Sequence, residues 1–133
     1  MEQMSRRDAR IKAYELVFMM NNCEDVDSEL LKLSKELKEH KKHYKYISGV
    51  VSAAYANKEE IDNEISQNLS DNWSINRLSK MCLAVLRLAI AEIRFMDDVP
   101  NNVSINEAVE LAKVFGDENE PAFVNGLLGK LIK

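Results

Sequence analysis

The sequence predicts an all-α fold of six or seven helices. Three observations carry that expectation. Apolar residues recur at three- and four-residue spacing along almost the whole chain. Gly occurs only four times and Pro twice, too few for a turn-rich all-β fold. Leu, Ala, Glu, Lys and Met, all strong helix formers, dominate the rest. With 133 residues, 46% apolar and 30% charged, the chain fits one domain, 1–133, with a single core.

The first helix is expected over 6–21. Ser5 suits the N-cap, with Asp8 three residues on as its acidic partner. Ala9, Ala13, Leu16, Val17 and Met20 share its inner face, and Asn21-Asn22 breaks the pattern. A second helix follows Asp27 or Ser28, marked by Leu30, Leu31, Leu33 and Leu37, and stops near His40. Lys32, Lys35, Lys38, Lys41, Lys42 and Lys45 crowd this region, where they could add phosphate contacts or simply form a solvated helix face, interrupted by Glu29, Glu36 and Glu39. A third, long helix is expected over 41–69, through Tyr44, Ile47, Val51, Ala54, Tyr55, Ile61, Ile65 and Leu69. Gly49 inside it costs about 1 kcal/mol against Ala, which suggests close packing there.

Residues 70–74 read as a turn, with Ser74 capping a fourth helix over 75–95. That helix is apolar nearly all round, so it is expected to be the buried hub. Arg87 lies in its middle and needs a carboxylate, because an unpaired buried charge is very costly. Glu107 or Glu110 is the expected partner. After a loop at 97–102, Ser104 and Glu107 have capping-box spacing. The fifth helix is expected to stop at Phe115-Gly116. Asn119 then caps a last helix, with Pro121 in its first turn and a buried stripe of Val124, Leu127, Leu128 and Leu131.

Composition narrows the function. The formal net charge is −4, so nucleic-acid binding must rely on a local basic patch. The two cysteines, Cys23 and Cys82, form no CxxC pair and read as reduced thiols. The start lacks the apolar run of a signal peptide, and no stretch reaches the length of a membrane span, so a cytoplasmic protein is expected. His40 and His43 are spaced to share a metal, but no third ligand lies near them in sequence. GxSxG, P-loop and GxGxxG motifs are absent, so neither catalysis nor a cofactor is expected.

Two side-chain stripes remain. Arg7, Arg10, Tyr14 and Phe18 share one side of the first helix, flanked by Arg6. Guanidinium forks grip phosphate and rings stack on unpaired bases, so this stripe suits RNA. On pattern alone it also suits Tyr14 and Phe18 as core-edge rings beside solvated arginines. Asn119 and Phe123 lie on a flank of the last helix with Gly126 and Lys130, where they could read or stack on a base, or merely cap and pack.

Four segments together resemble the NusB family of bacterial antitermination factors. They are Arg6-Arg7-Asp8-Ala9-Arg10, Leu86-Arg87-Leu88-Ala89 followed by Glu92, the run 99–113 from Val-Pro-Asn-Asn to Leu-Ala-Lys, and Phe123-Val124-Asn125-Gly126-Leu127-Leu128. They occur in order across essentially the whole chain. The resemblance implies two small helical bundles around a buried central helix. It implies binding of boxA RNA together with NusE, a ribosomal small-subunit protein, within the RNA polymerase antitermination complex that serves ribosomal RNA operons. Arg6, Arg7 and Arg10 match the family's RNA-binding start, with Tyr14 beside them. Asn119 and Phe123 match positions near the RNA, and Phe18 and Cys82 match positions facing NusE. Cys82 stands where a carboxylate is usual, and Phe18 where Tyr is common. Two other readings fit the same fold: an accessory domain of an RNA cytosine methyltransferase, for which a cofactor-binding region would have to follow Lys133, and a helical protein-interaction module with no RNA role. Monomer and homodimer both stay open.

Overall fold

A computed structural model describes residues 4–19 and 25–132, and several of its helices begin or end on identifiable local bonds. The first, α1 (Arg6–Met19), opens on a reciprocal cap. The Asp8 amide donates to Ser5 Oγ at 3.0 Å, and the Ser5 amide donates to Asp8 Oδ2 at 3.1 Å. Those bonds hold the exposed Asp8 carboxyl below the usual carboxylate range. Met20 and Cys23, expected in and after this helix, lie outside the described residues. Helix α2 (Val26–Glu36) starts slightly earlier than expected, because the Asp25 carboxylate accepts from the Ser28 amide and hydroxyl.

The long helix expected over 41–69 is two. Helix α3 (Lys41–Ala56) ends at Asn57, whose side-chain amide donates to the Ala53 carbonyl at 2.9 Å, and α4 (Lys58–Gln67) follows at once. Asn competes with the helix for backbone carbonyls, and here it wins at the break. Gly49 does not answer to crowding. A methyl group there would meet the Met96 side chain at 3.8 Å, ordinary contact. The fourth expected helix also starts later. Ser74 leads only a short 3₁₀ turn (Ile75–Arg77), and Ser79 caps α5 (Lys80–Phe95) by accepting from the Cys82 amide at 3.0 Å.

Helix α6 (Asn101–Phe115) begins directly after Pro100 rather than at Ser104. Ser104 and Glu107 lie inside it, so their spacing was no capping box. Proline fixes its φ near the helical value and suits a helix start. Gly116 ends α6, and a Cβ there would collide with Glu120 Oε2 and stand 2.9 Å from the Ala112 carbonyl oxygen. The last helix, α7 (Glu120–Leu131), is led in by Asp117, which accepts from the Asn119 and Glu120 amides; the Asn119 side chain makes no capping bond.

Of the seven α-helices, α1 and α3 pack on one side of α5, α6 and α7 on another, and α4 alongside, while α2 packs against α1 and α3. Every residue of α5 from Ala84 to Glu92 is buried, so the hub expected from its all-round apolarity is there. The buried apolar side chains of all seven helices join one cluster. Helix α1 runs antiparallel to α5 and parallel to α6: its first turns meet Glu92 and Glu107, and its later Tyr14 stacks on Phe115.

Two ion pairs lock this arrangement. Arg87 reaches Asp62 on α4 with two bonds of 2.9 Å, not the expected Glu107 or Glu110. Glu92, only 1% exposed, accepts two bonds from Arg10 at 2.8 and 2.9 Å, one from Ser104 Oγ at 3.0 Å, and one from the Tyr46 hydroxyl. One carboxylate therefore ties α1, α3, α5 and α6 together, with its acceptor positions filled.

Candidate nucleic-acid interface

Helix α1 presents its arginines in three different ways: Arg7 points about 100° away from Arg6, and Arg10 shares the side of Arg6 one turn deeper into the packed helices. Arg10 faces inward. It is 4% exposed and gripped by Glu92, which raises its already high pKa further against the cost of burial. Tyr14 is also 4% exposed, and its ring lies between Phe115 at 4.7 Å and Phe18 at 6.3 Å between centroids. Burial pushes its hydroxyl up to about 12. The expectation that Arg10 and Tyr14 belong to an open basic and aromatic surface is corrected on both. Arg10 is four residues before Tyr14 and one helical turn after Arg6, on the α5 side, where the core needs its stem and Glu92 needs its charge.

Arg7 is at the surface, its side chain 60% exposed, but it too has a carboxylate. Its Nε and Nη2 donate to the two oxygens of Glu107 at 3.1 and 2.9 Å. The same bonds hold Glu107 below the usual carboxylate range. Arg6 lies one turn before Arg10 on the same side of α1, at the Tyr46 ring of α3 that both guanidiniums overlie. Its guanidinium lies 4.5 Å from the centre of the Tyr46 ring and pairs with no carboxylate among the described residues.

At the far end of α5 a second locus forms. Asn119, Phe123 and Cys82 line one open cleft of about 390 Å³, together with Trp73 and Arg77. The structure thus brings together two residues expected to face RNA and one expected to face a protein partner. Cys82 itself is 3% exposed, and burial pushes its thiol up to about 12, so it forms part of the cleft floor. Phe18 is half-buried against Tyr14, next to this end of the molecule. Trp73 is half exposed, and the Arg77 guanidinium sits 5.5 Å over its ring while donating to the Asn72 carbonyl at 3.1 Å. Trp73 and Arg77 were not singled out in the sequence, where Trp73 lies in a segment read as a turn and Arg77 in the first turn of the expected fourth helix. Their four-residue spacing in a polar stretch, with no apolar periodicity to claim the Trp, was the available signal.

The cleft offers flat ring faces, an amide and a guanidinium, which are the groups that stack on and read unpaired bases. Asp117 and Glu120 beside them keep it from being a phosphate trap. The described residues contain no group of three or more His, Cys, Asp and Glu placed to hold a metal ion. No helix of the described residues is long and apolar enough to cross a membrane.

A family model described as the NusB family matches residues 6–133. The chain belongs to the NusB family. A transcription antitermination protein NusB from Clostridium novyi is 45% identical over 98% of this chain and 99% of its own. A solved NusB of T. maritima superposes with a TM-score of 0.83 at 35% identity, covering 98% of this chain and 92% of that one. A chain in a crystal structure of the antitermination factors NusB and NusE in complex with dsRNA superposes with a TM-score of 0.82 at 29% identity, covering 95% and 94%. The NusB-like all-helical fold expected from the sequence is therefore the fold present.

Proposed function

We infer that this NusB-family chain is a transcription antitermination factor that binds boxA RNA together with NusE and joins the antitermination complex on RNA polymerase, notably on ribosomal RNA operons. The observation that carries the inference is likeness along nearly the full chain, both to proteins named transcription antitermination protein NusB and to a chain of the NusB–NusE–dsRNA complex. It acts in the cytoplasm as one RNA-binding unit over 1–133, by binding rather than catalysis and without a cofactor.

The geometry supports a division of labour among the candidate residues. Arg6 and Arg7 contact phosphate from the first turn of α1. Asn119 and Phe123 engage bases at the head of α7, with Trp73 and Arg77 beside them. Arg10 and Tyr14 are positioning residues: one holds α1 against α5, the other sets the packing beneath the cleft. Phe18 and the floor around Cys82 form the NusE-facing side.

Titration of boxA RNA and a scrambled control with the protein plus NusE tests this. Arg7→Ala is expected to weaken boxA binding and lower the salt slope by about 0.7, the value for one single-strand phosphate contact. Equal affinity for boxA and the scrambled RNA, with and without NusE, would overturn the reading.

A further inference from the structure

The arginines of the described chain fall into two groups. Arg7, Arg10, Arg87 and Arg94 each hold a carboxylate. Arg6 and Arg77 do not, and each instead lies over an aromatic ring at the edge of an open groove. The two grooves are at opposite ends of α5. One lies at Cys82, the other at Met96, and 14 residues of helix separate them, about 20 Å.

Their chemistry differs. The cleft at Cys82 has rings and acids. The groove at Met96, about 570 Å³, is lined by Arg6, Lys42 and Lys45 against a single acid, Asp98. Arg6, Lys42 and Lys45 are exposed, and none has a carboxylate within salt-bridge distance among the described residues. Lys42 and Lys45 are three residues apart on α3, so they stand on one face, and the Tyr46 ring fixes Arg6 toward them. A cluster of three unneutralised cations on a chain of net charge −4 is a local positive field, and it starts one residue from Arg7. The Tyr46 ring is buried under Arg6, so no base can stack there.

We propose that the Arg6–Lys42–Lys45 groove is a phosphate-backbone site that extends the RNA track around the first turn of α1, so that bases are read at the α7 end of α5 and flanking nucleotides are held through their phosphates at the other. This rests on the RNA-binding reading above and adds a second footprint to it. The occupant is single-stranded RNA: the groove offers donors and charge without ring faces, which grips any sequence.

The test uses the full chain with NusE and two RNAs, boxA alone and boxA carrying an unstructured tail of several nucleotides on each side. The variants are Lys42→Gln/Lys45→Gln and, as a base-site control, Phe123→Ala. Both lysines are exposed, and an unchanged melting curve confirms that the variant folds. The double lysine variant is expected to bind the tailed RNA about 10-fold more weakly and to lower its salt slope by about 1.4, two single-strand contacts, while binding short boxA nearly as before. Phe123→Ala is expected to weaken both RNAs alike. If the wild type binds boxA and the lysine variant keeps its full affinity and slope for the tailed RNA, the groove proposal is overturned while the function stands. If the wild type does not prefer boxA, the underlying reading has failed instead.

Discussion

Single residues on α1 show how much a helix period decides. Arg6, Arg7 and Arg10 look equivalent in the sequence, but one leans on a ring, one is tied at the surface and one is locked in the core. Glu107 restrains Arg7, so a phosphate must compete with it. Glu107→Gln is therefore expected to raise RNA affinity severalfold and steepen the salt dependence, measured by titration across salt concentrations; an unchanged affinity would show that Arg7 does not meet RNA. Cys82 allows a second check. With its thiol near 12 and 3% exposed, it should be alkylated far more slowly than a free thiol at pH 8 in the folded protein, read by peptide mass mapping that separates it from Cys23. Helical spacing correctly grouped Arg10 and Tyr14 on one side of α1. It could not say that this side faces Glu92 and Phe115, because those partners are about 80 and 100 residues away, beyond any local pattern.

At the scale of elements, α5 was legible because its apolarity runs around the whole helix, and α1 because its cap and inner stripe are local. Boundaries set by competition were not. Asn57 splits one long apolar pattern into α3 and α4 without disturbing the spacing of Ile61 and Ile65, and Pro100 starts α6 where Ser104 and Glu107 offered the more familiar signature. Those two residues were taken instead by tertiary contacts, Ser104 by Glu92 and Glu107 by Arg7. The partner of Arg87 was missed for a related reason: an ion pair between α4 and α5 follows from how two helices cross, which charge spacing alone does not encode. The helix contacts around Glu92 carry a sharp expectation. Glu92→Ala should cost roughly 3–5 kcal/mol in chemical denaturation by stranding the buried Arg10, whereas Arg10→Met/Glu92→Met should recover much of that loss. A Glu92→Ala variant as stable as wild type would contradict the assigned role.

The whole molecule is acidic yet keeps its free cations in patches, so its charge distribution matters more than its total. The acidity also sets a pH dependence. Glu107 and Asp8 have pKa values lowered in the folded protein, by Arg7 and by Ser5 respectively. Such groups stabilise the fold fully above their unfolded pKa values, ordinarily near 4, and that contribution is lost as pH falls through the lower folded values. Melting temperature is expected to decline below about pH 4, and Glu107→Gln should flatten part of that decline. The candidate site was half legible at this scale. The sequence pointed to the first-turn arginines, the head of α7 and the lysine run that holds Lys42 and Lys45; it did not point to the Trp73–Arg77 wall of the cleft or to the meeting of Arg6 with those lysines, because each is assembled from segments that only the packed helices bring together.

The Glu92 hub also governs what can be cut away. Arg10 waits 82 residues for its carboxylate, and Ser104 joins twelve residues later still. A ribosome translating this protein therefore releases an amino-terminal half that has no counter-ion for its most deeply placed cation. A fragment ending before α5 should remain a non-cooperative coil by circular dichroism, and truncation products should be rapidly proteolysed. The first helix thus depends for its buried partner on segments made late in synthesis.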